Sequence, residues 1–149
     1  MAKGGRKMTG KMLSAAILTI FLAVIALFQN FGVIPENVNP YADGDVYLHV
    51  INVGQGSSTL IQKGNEAILI DAGESDYGQY VSDYINSCAV DSLKYVVASH
   101  PHSDHIGGLP KVLGNFEVQE LLMPEIDEKY LPTTKVYERL LDTIIDEDI

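Results

Sequence analysis

Three of the chain's four histidines and an aspartate fall within the stretch SHPHSDHIGG, Ser99 to Gly108. Imidazole and carboxylate are zinc ligands, bonding at about 2.0–2.2 Å. His100 and His102, two apart on an extended chain, can point to the same side and grip one ion. Asp104 and His105 are adjacent and cannot easily join the same tetrahedron, so they are better placed to hold a second ion nearby. Pro101 stiffens the turn between the first two. The plain alternative is a set of histidines that cap a helix or sit satisfied in a core. For one histidine that reading would win, but His-x-His-x-Asp-His behind a hydrophobic strand favours metal.

The elements around this stretch must hold it in place. Val46 to Val53 is β-branched and aromatic and predicts a strand, closed by the turn Gly54-Gln55-Gly56-Ser57-Ser58. Thr59–Lys63 predicts a second strand, Gly64-Asn65 a two-residue hairpin, and Glu66–Asp71 a third strand. Tyr80, Val81, Tyr84, Ile85 and Cys88 recur at helical spacing within Gly78–Cys88. Leu93–Ser99 predicts a buried strand that delivers the histidines, Gly107–Leu113 a short helix and Val118–Met123 another strand. Val136, Leu140, Leu141, Ile144 and Ile145 predict the apolar face of a last helix. Strands come first as a meander and then alternate with helices, which is a mixed α/β pattern with helices on one face of a sheet. Ligand sites in such sheets lie in the crevices at strand ends, where the histidines fall.

The whole chain has 149 residues, 46% of them hydrophobic and 20% charged, with a formal net charge of -10. That allows one ordinary domain with a core and excludes a disordered or collagen-like chain. An acidic surface lacks the broad field of a nonspecific nucleic-acid binder, although bound metal ions can supply positive charge locally. The single cysteine, Cys88, excludes an internal disulfide framework and a cysteine-based zinc finger. It reads as a buried small hydrophobe.

Lys3, Arg6, Lys7 and Lys11 make residues 1–11 a basic tail. Met12 to Phe28 follows without a charge, and apolar residues continue to Ile34. At about 1.5 Å per residue, a helix over 12–28 is roughly 26 Å long, against a hydrocarbon core of ~30 Å. We read 12–34 as an uncleaved transmembrane anchor, with the basic tail cytoplasmic and the rest outside the cell membrane. A cleaved signal peptide and a buried core helix are the alternatives, and the stretch after the run offers no Ala-x-Ala site. Residues 35–44 are a linker rich in Pro, Asn, Asp and Gly, and the soluble domain spans 45–149.

The histidine stretch resembles the metal-binding signature of the metallo-β-lactamase-fold superfamily. VINVGQGSSTLIQ (Val50 to Gln62), AILIDAG (Ala67 to Gly73) and ASHPHSDHIGGLP (Ala98 to Pro110) are together similar to the hydrolase domain of ComEC-type DNA-uptake proteins and their stand-alone relatives. The resemblance covers roughly residues 46 to 123. Asn52 and Ser57 stand where that branch commonly has aspartates. The resemblance implies an αββα sandwich, of which this chain would be the N-terminal half, with two zinc ions between the sheets. His100 and His102 would bind the first ion, and Asp104 and His105 the second. Asp71 matches the family's Asp-x-Gly position, where it would orient the histidine loop, although a strand-end turn carboxylate is an equally direct reading. The loop Gly54-Gln55-Gly56 would approach the site with its backbone, a reading compatible with a tight hairpin turn.

The chemistry implied is metal-dependent hydrolysis. Zinc lowers the pKa of bound water from about 15.7 to about 7, and the resulting hydroxide would attack a phosphodiester, ester or amide. Asp104 would be the catalytic residue, a metal ligand that also orients the hydroxide. Two histidines leave the first zinc a ligand short, and Asp104 with His105 leave the second short too. The family supplies the rest from a later histidine, an aspartate and a final histidine, and no histidine follows His105. His49, in the opening strand, reads as an ordinary strand residue. The last helix runs into Asp146-Glu147-Asp148 without a glycine cap, against the helix dipole, which we read as fraying or as a chain cut within an element.

Three functional readings follow. The first is a membrane-anchored zinc hydrolase acting on a phosphodiester or nucleic acid, linked to DNA uptake. The second is a metallohydrolase of a β-lactam or another small ester or amide. The third is a truncated, non-catalytic remnant. Glu74 and Asp76 could edge the site, Glu125, Asp127 and Glu128 read as a solvated loop, and the eight tyrosines are too scattered to suggest a stacking platform.

Overall fold

The computed structural model describes residues 44–149, together with Thr19, Ala23 and Tyr41. The basic tail, the predicted anchor apart from Thr19 and Ala23, and most of the linker lie outside the described residues. Among the described residues, no helix is long and apolar enough to cross a membrane.

Among the described residues, five strands form one sheet: β1 (Tyr47–Val50), β2 (Thr59–Lys63), β3 (Glu66–Ile70), β4 (Ser92–Val97) and β5 (Glu117–Leu122), hydrogen-bonded in that order. Four α-helices among the same residues accompany them: α1 (Gly78–Ser87), α2 (Ser103–Ile106), α3 (Leu109–Leu113) and α4 (Lys135–Asp146). β1, β2 and β3 pair antiparallel, as the short Gly64-Asn65 turn requires, with Gly64 at φ 62°. β3, β4 and β5 pair parallel, because each is joined to the next through helix. The mixed α/β class expected from the alternation is the one observed.

Alternation along each strand sends one set of side chains into the core. Leu60, Leu69, Leu93 and Val96 are buried together with Val81 and Ile85 of α1, Leu109, Val112 and Leu113 of α3, and Leu140 of α4. The opposite face carries a second apolar row. Leu48, Ile61, Ile68 and Tyr95 lie in register across β1 to β4, and Leu48 is 67% exposed. Val50, Thr59, Ile70, Val97 and Leu122 form the next row across all five strands.

Three features depart from the sequence reading, for local reasons. β1 stops at Val50 rather than Val53, because the Asn52 side chain accepts from Gly54 N at 3.1 Å and turns the chain out of the ladder. Ile51 and Val53 still point into the core. The helix predicted over Gly107–Leu113 is α3, which begins only at Leu109, and a separate turn of helix, α2, precedes the Gly107-Gly108 pair. The last helix does not bury the whole predicted face: Tyr137 and Leu140 are buried, Val136 and Ile144 partly so, while Leu141 and Ile145 are exposed. Its apolar stripe is wider than the contact that α2 and α3 offer. It ends at Asp146, and at its start the Thr134 hydroxyl accepts from Tyr137 N at 3.3 Å, a cap of about 1 kcal/mol.

Candidate metal centre

The site is assembled at the C-terminal ends of the parallel strands. β3 ends at Ile70 and hands over to Asp71, while β4 ends at Val97 and hands over to Ala98, Ser99 and His100. The ladder carries on into these loops. Asp71 N donates to Val97 O at 2.9 Å, and Ala98 N donates to Leu122 O at 2.9 Å. Parallel pairing therefore sets Asp71 beside the start of the histidine stretch.

Asp71 is 1% exposed and adopts φ 60°, the left-handed region in which a short polar side chain is tolerated. One carboxylate oxygen, Oδ1, accepts from Ser99 N at 2.9 Å. The other, Oδ2, accepts from the Ser99 hydroxyl at 2.7 Å and from His105 Nδ1 at 2.7 Å. This arrangement decides which ring nitrogens are bare. A carboxylate only accepts, so His105 carries its proton on Nδ1 and presents Nε2 as a lone pair. The Ser99 proton goes to Asp71, so Ser99 Oγ accepts from His100 Nδ1 at 3.1 Å, and His100 also presents Nε2. Ser99 is the residue that sequence reasoning missed. Its signal was its place between the buried strand and the first histidine.

The structure brings the predicted ligands together. The His100 ring lies 4.7 Å from that of His102 and 3.8 Å from that of His105, centroid to centroid. Asp104 Oδ2 is 3.9 Å from His105 Nε2. That separation is too long for a hydrogen bond, yet within reach of one cation bound by both at about 2.0–2.2 Å. The donor chemistry thus suits a borderline ion such as zinc, which the adjacent Asp104 and His105 would hold while Asp71 and Ser99 orient the imidazoles. Among the described residues, no three of the His, Cys, Asp and Glu side chains close as a set around a single ion position.

Backbone contacts lock the loop from two sides. Ala72 N donates to His105 O at 2.8 Å, and Gly108 N donates to Gly73 O at 2.9 Å. A Cβ at Gly108 would collide with the Ala72 carbonyl, so this approach needs glycine. Gly56 sits at φ 150° with its Cα against the Asp104 carbonyl, and Ser57 N donates to that carbonyl at 3.1 Å. The Gly54-Gln55-Gly56 loop therefore meets the histidine stretch with backbone, at the Asp104 carbonyl. Glu74 does edge the site, accepting from the Ser103 hydroxyl at 2.9 Å. A cleft of about 430 Å³ opens beside the loop, lined by Pro101, His102, Ser103, Asp104, Thr134 and Val136.

A second polar cluster lies elsewhere in the domain. His49 Nδ1 is 3.2 Å from the Tyr84 hydroxyl and 3.9 Å from Cys88 Sγ, so His49 is a buried strand residue apart from the histidine stretch. Cys88 is buried. Burial and the neighbouring Cys88 thiol push the Tyr84 phenol above its usual pKa, and the same thiol raises that of Tyr41.

Comparison with known proteins agrees with this geometry. The metallo-β-lactamase superfamily profile matches residues 51–147, and the chain belongs to that superfamily. A ribonuclease Z from Clostridium beijerinckii is 41% identical over 58 residues, covering 39% of this chain and 18% of the relative. Recombination protein 2 of Haemophilus influenzae is 33% identical over 79 residues, covering 50% of this chain and 10% of the relative. A β-lactamase-like protein 2 homolog of Drosophila melanogaster is 33% identical over 63 residues, covering 40% of this chain and 22% of the relative. The matches thus span less than a quarter of the length of these relatives. Among solved structures, a metallo-β-lactamase motif mutant from Cronobacter sakazakii aligns with a TM-score of 0.43 and 25% identity, covering 53% of this chain and 31% of that one. The superfamily includes hydrolases such as ribonuclease Z and the metallo-β-lactamases.

Proposed function

We propose that this chain carries the metal-binding half of a zinc-dependent hydrolase that cleaves a phosphodiester. The observation that supports it most is the Asp71–Ser99 network, which fixes the tautomers of His100 and His105 so that both leave Nε2 free, that of His105 at 3.9 Å from Asp104. In this reading His100, His102, Asp104 and His105 hold zinc, two ions in the complete site, and Asp104 also orients the attacking group. Bound zinc supplies a nucleophilic water near neutral pH and draws charge from the substrate's oxygens. Asp71 and Ser99 position the imidazoles, and Gly54, Gln55 and Gly56 form the loop beside the substrate.

The names of two relatives, ribonuclease Z and recombination protein 2, turn the choice of substrate toward nucleic acid and toward the ComEC-like branch. We further propose that 12–34 anchors the protein in the cell membrane, with the hydrolase domain outside. Zinc titration and hydrolysis assays on bis(p-nitrophenyl) phosphate, a single-stranded oligonucleotide and a β-lactam test the reading. Zinc uptake with diester cleavage, both lost in His102→Ala and Asp104→Ala, is expected. Cleavage of the lactam alone would replace the substrate class, and diester cleavage that survives both substitutions would overturn the assignment.

A further inference from the structure

Tyr77 and Tyr80 form an aromatic pair next to the Gly54-Gln55-Gly56 loop. Their rings lie 6.3 Å apart at 77°, edge to face. A Cβ on Gly54 would lie 2.8 Å from the Tyr77 hydroxyl, so that tyrosine rests on the loop. At its other end the loop touches the Asp104 carbonyl through Gly56 and Ser57. Tyr77 closes the short turn Ser75–Tyr77, which follows Glu74, itself bound to Ser103 of the histidine stretch. Two separate contacts therefore tie the pair to the candidate centre. Tyr77 is half-buried, and its neighbour Tyr80, in the first turn of α1, is 48% exposed.

The charge balance gives this pair a purpose. A chain with net charge -10 repels a polyanion and has few bases with which to hold phosphates. Stacking on an aromatic ring binds a base through its π-face and needs no positive charge. We propose that Tyr80, backed by Tyr77, is a stacking surface for a base of a single-stranded nucleic acid whose backbone runs past the Gly54-Gln55-Gly56 loop toward Asp104. This rests on the phosphodiesterase reading and narrows it to unpaired strands, since a duplex keeps its bases stacked on one another.

The test uses the full-length chain with EDTA present, so that binding is measured without cleavage. A labelled oligothymidylate and a duplex of equal length are titrated by fluorescence anisotropy against the parent, Tyr80→Ala and Tyr80→Phe. The expected result is binding of the single strand in preference to the duplex, weakened about fivefold or more by Tyr80→Ala and retained by Tyr80→Phe. The chain has no tryptophan, so quenching of tyrosine emission that Tyr80→Ala diminishes gives a second readout. Equal affinity for the duplex, no binding by the parent, or a smaller loss in Tyr80→Ala would overturn the proposal. Hydrolysis of bis(p-nitrophenyl) phosphate by the metal-loaded parent is measured separately and tests the hydrolase reading alone. If that hydrolysis is absent throughout while stacking behaves as expected, the hydrolase reading fails and the stacking surface stands.

Discussion

Asp71 Oδ2 and His105 Nδ1 lie 2.7 Å apart across 34 positions of sequence. The contact joins the end of one parallel strand to the helix that follows the next, and it fixes which face of the imidazole is free. A carboxylate–imidazole contact of this kind raises the basicity of the far nitrogen and holds the ring in one orientation.

Replacing Asp71 is therefore expected to act on metal affinity. Asp71→Asn keeps the shape, but its amide NH₂ would face the Ser99 and His105 donors. Zinc affinity, read by competition with a chromophoric chelator, is expected to fall about 10- to 100-fold. Unchanged affinity would mean that the contact is structural only.

Gly108 is predicted to be intolerant of any side chain. Its Cα faces the Ala72 carbonyl, and a methyl there forces the Asp71 turn and the start of α3 apart. Gly108→Ala is expected to cost about 1–3 kcal/mol, the scale of overpacking a filled core. Denaturant unfolding of parent and variant reads the difference directly, and an equal midpoint would contradict the close approach.

Gln62 is fully buried in β2, and its Nε2 donates to Gly64 O at 2.7 Å and to Cys88 O at 2.8 Å. It thereby ties the hairpin to the end of α1. Gln62→Leu leaves both carbonyls without that donor, and a loss of about 1–3 kcal/mol is expected in chemical denaturation. Zinc binding is expected to be unaffected, because this cluster is separate from the histidine loop.

The tyrosines beside Cys88 give a pH dependence. The Tyr84 phenol is held above its usual value of 10 by burial first and then by the Cys88 thiol. A folded-state pKa above the unfolded one means that the native state keeps its proton longer. This contribution is complete below about pH 10 and fades as pH rises through the folded value. Absorbance at 295 nm should show a late-titrating fraction that Tyr84→Phe reduces, leaving the share of Tyr41. A single titration at the free-tyrosine position would refute the burial.

Much of the fold could be read from residue order. β2 was legible to the residue, because Thr59–Lys63 is bounded by a polar turn on one side and Gly64 on the other. The mixed class followed from strands that first meander and then alternate with helices. The clustering of the histidines was legible because four donor side chains crowd a strand end. What escaped had non-local causes. Ser99 looks ordinary until Asp71 is brought up by parallel pairing with β4. The pairing of Tyr77 with Tyr80 was hidden because their spacing of three becomes a contact only where the short turn meets α1. The exposed side of α4 was misjudged because its apolar stripe says nothing of how much neighbouring helix is there to receive it.

The ladder between β3 and β4 sets Ile70 opposite Val97, one residue before Asp71 and two before Ser99. A slip of two residues would keep the side chains at this end of the ladder on their own faces, yet carry Asp71 about 6–7 Å along the strand, away from the serine it grips. Hydrophobic alternation alone does not forbid that slip. The polar clasp at the strand ends does, so the same few atoms that ready the imidazoles also tell the sheet where to stop sliding.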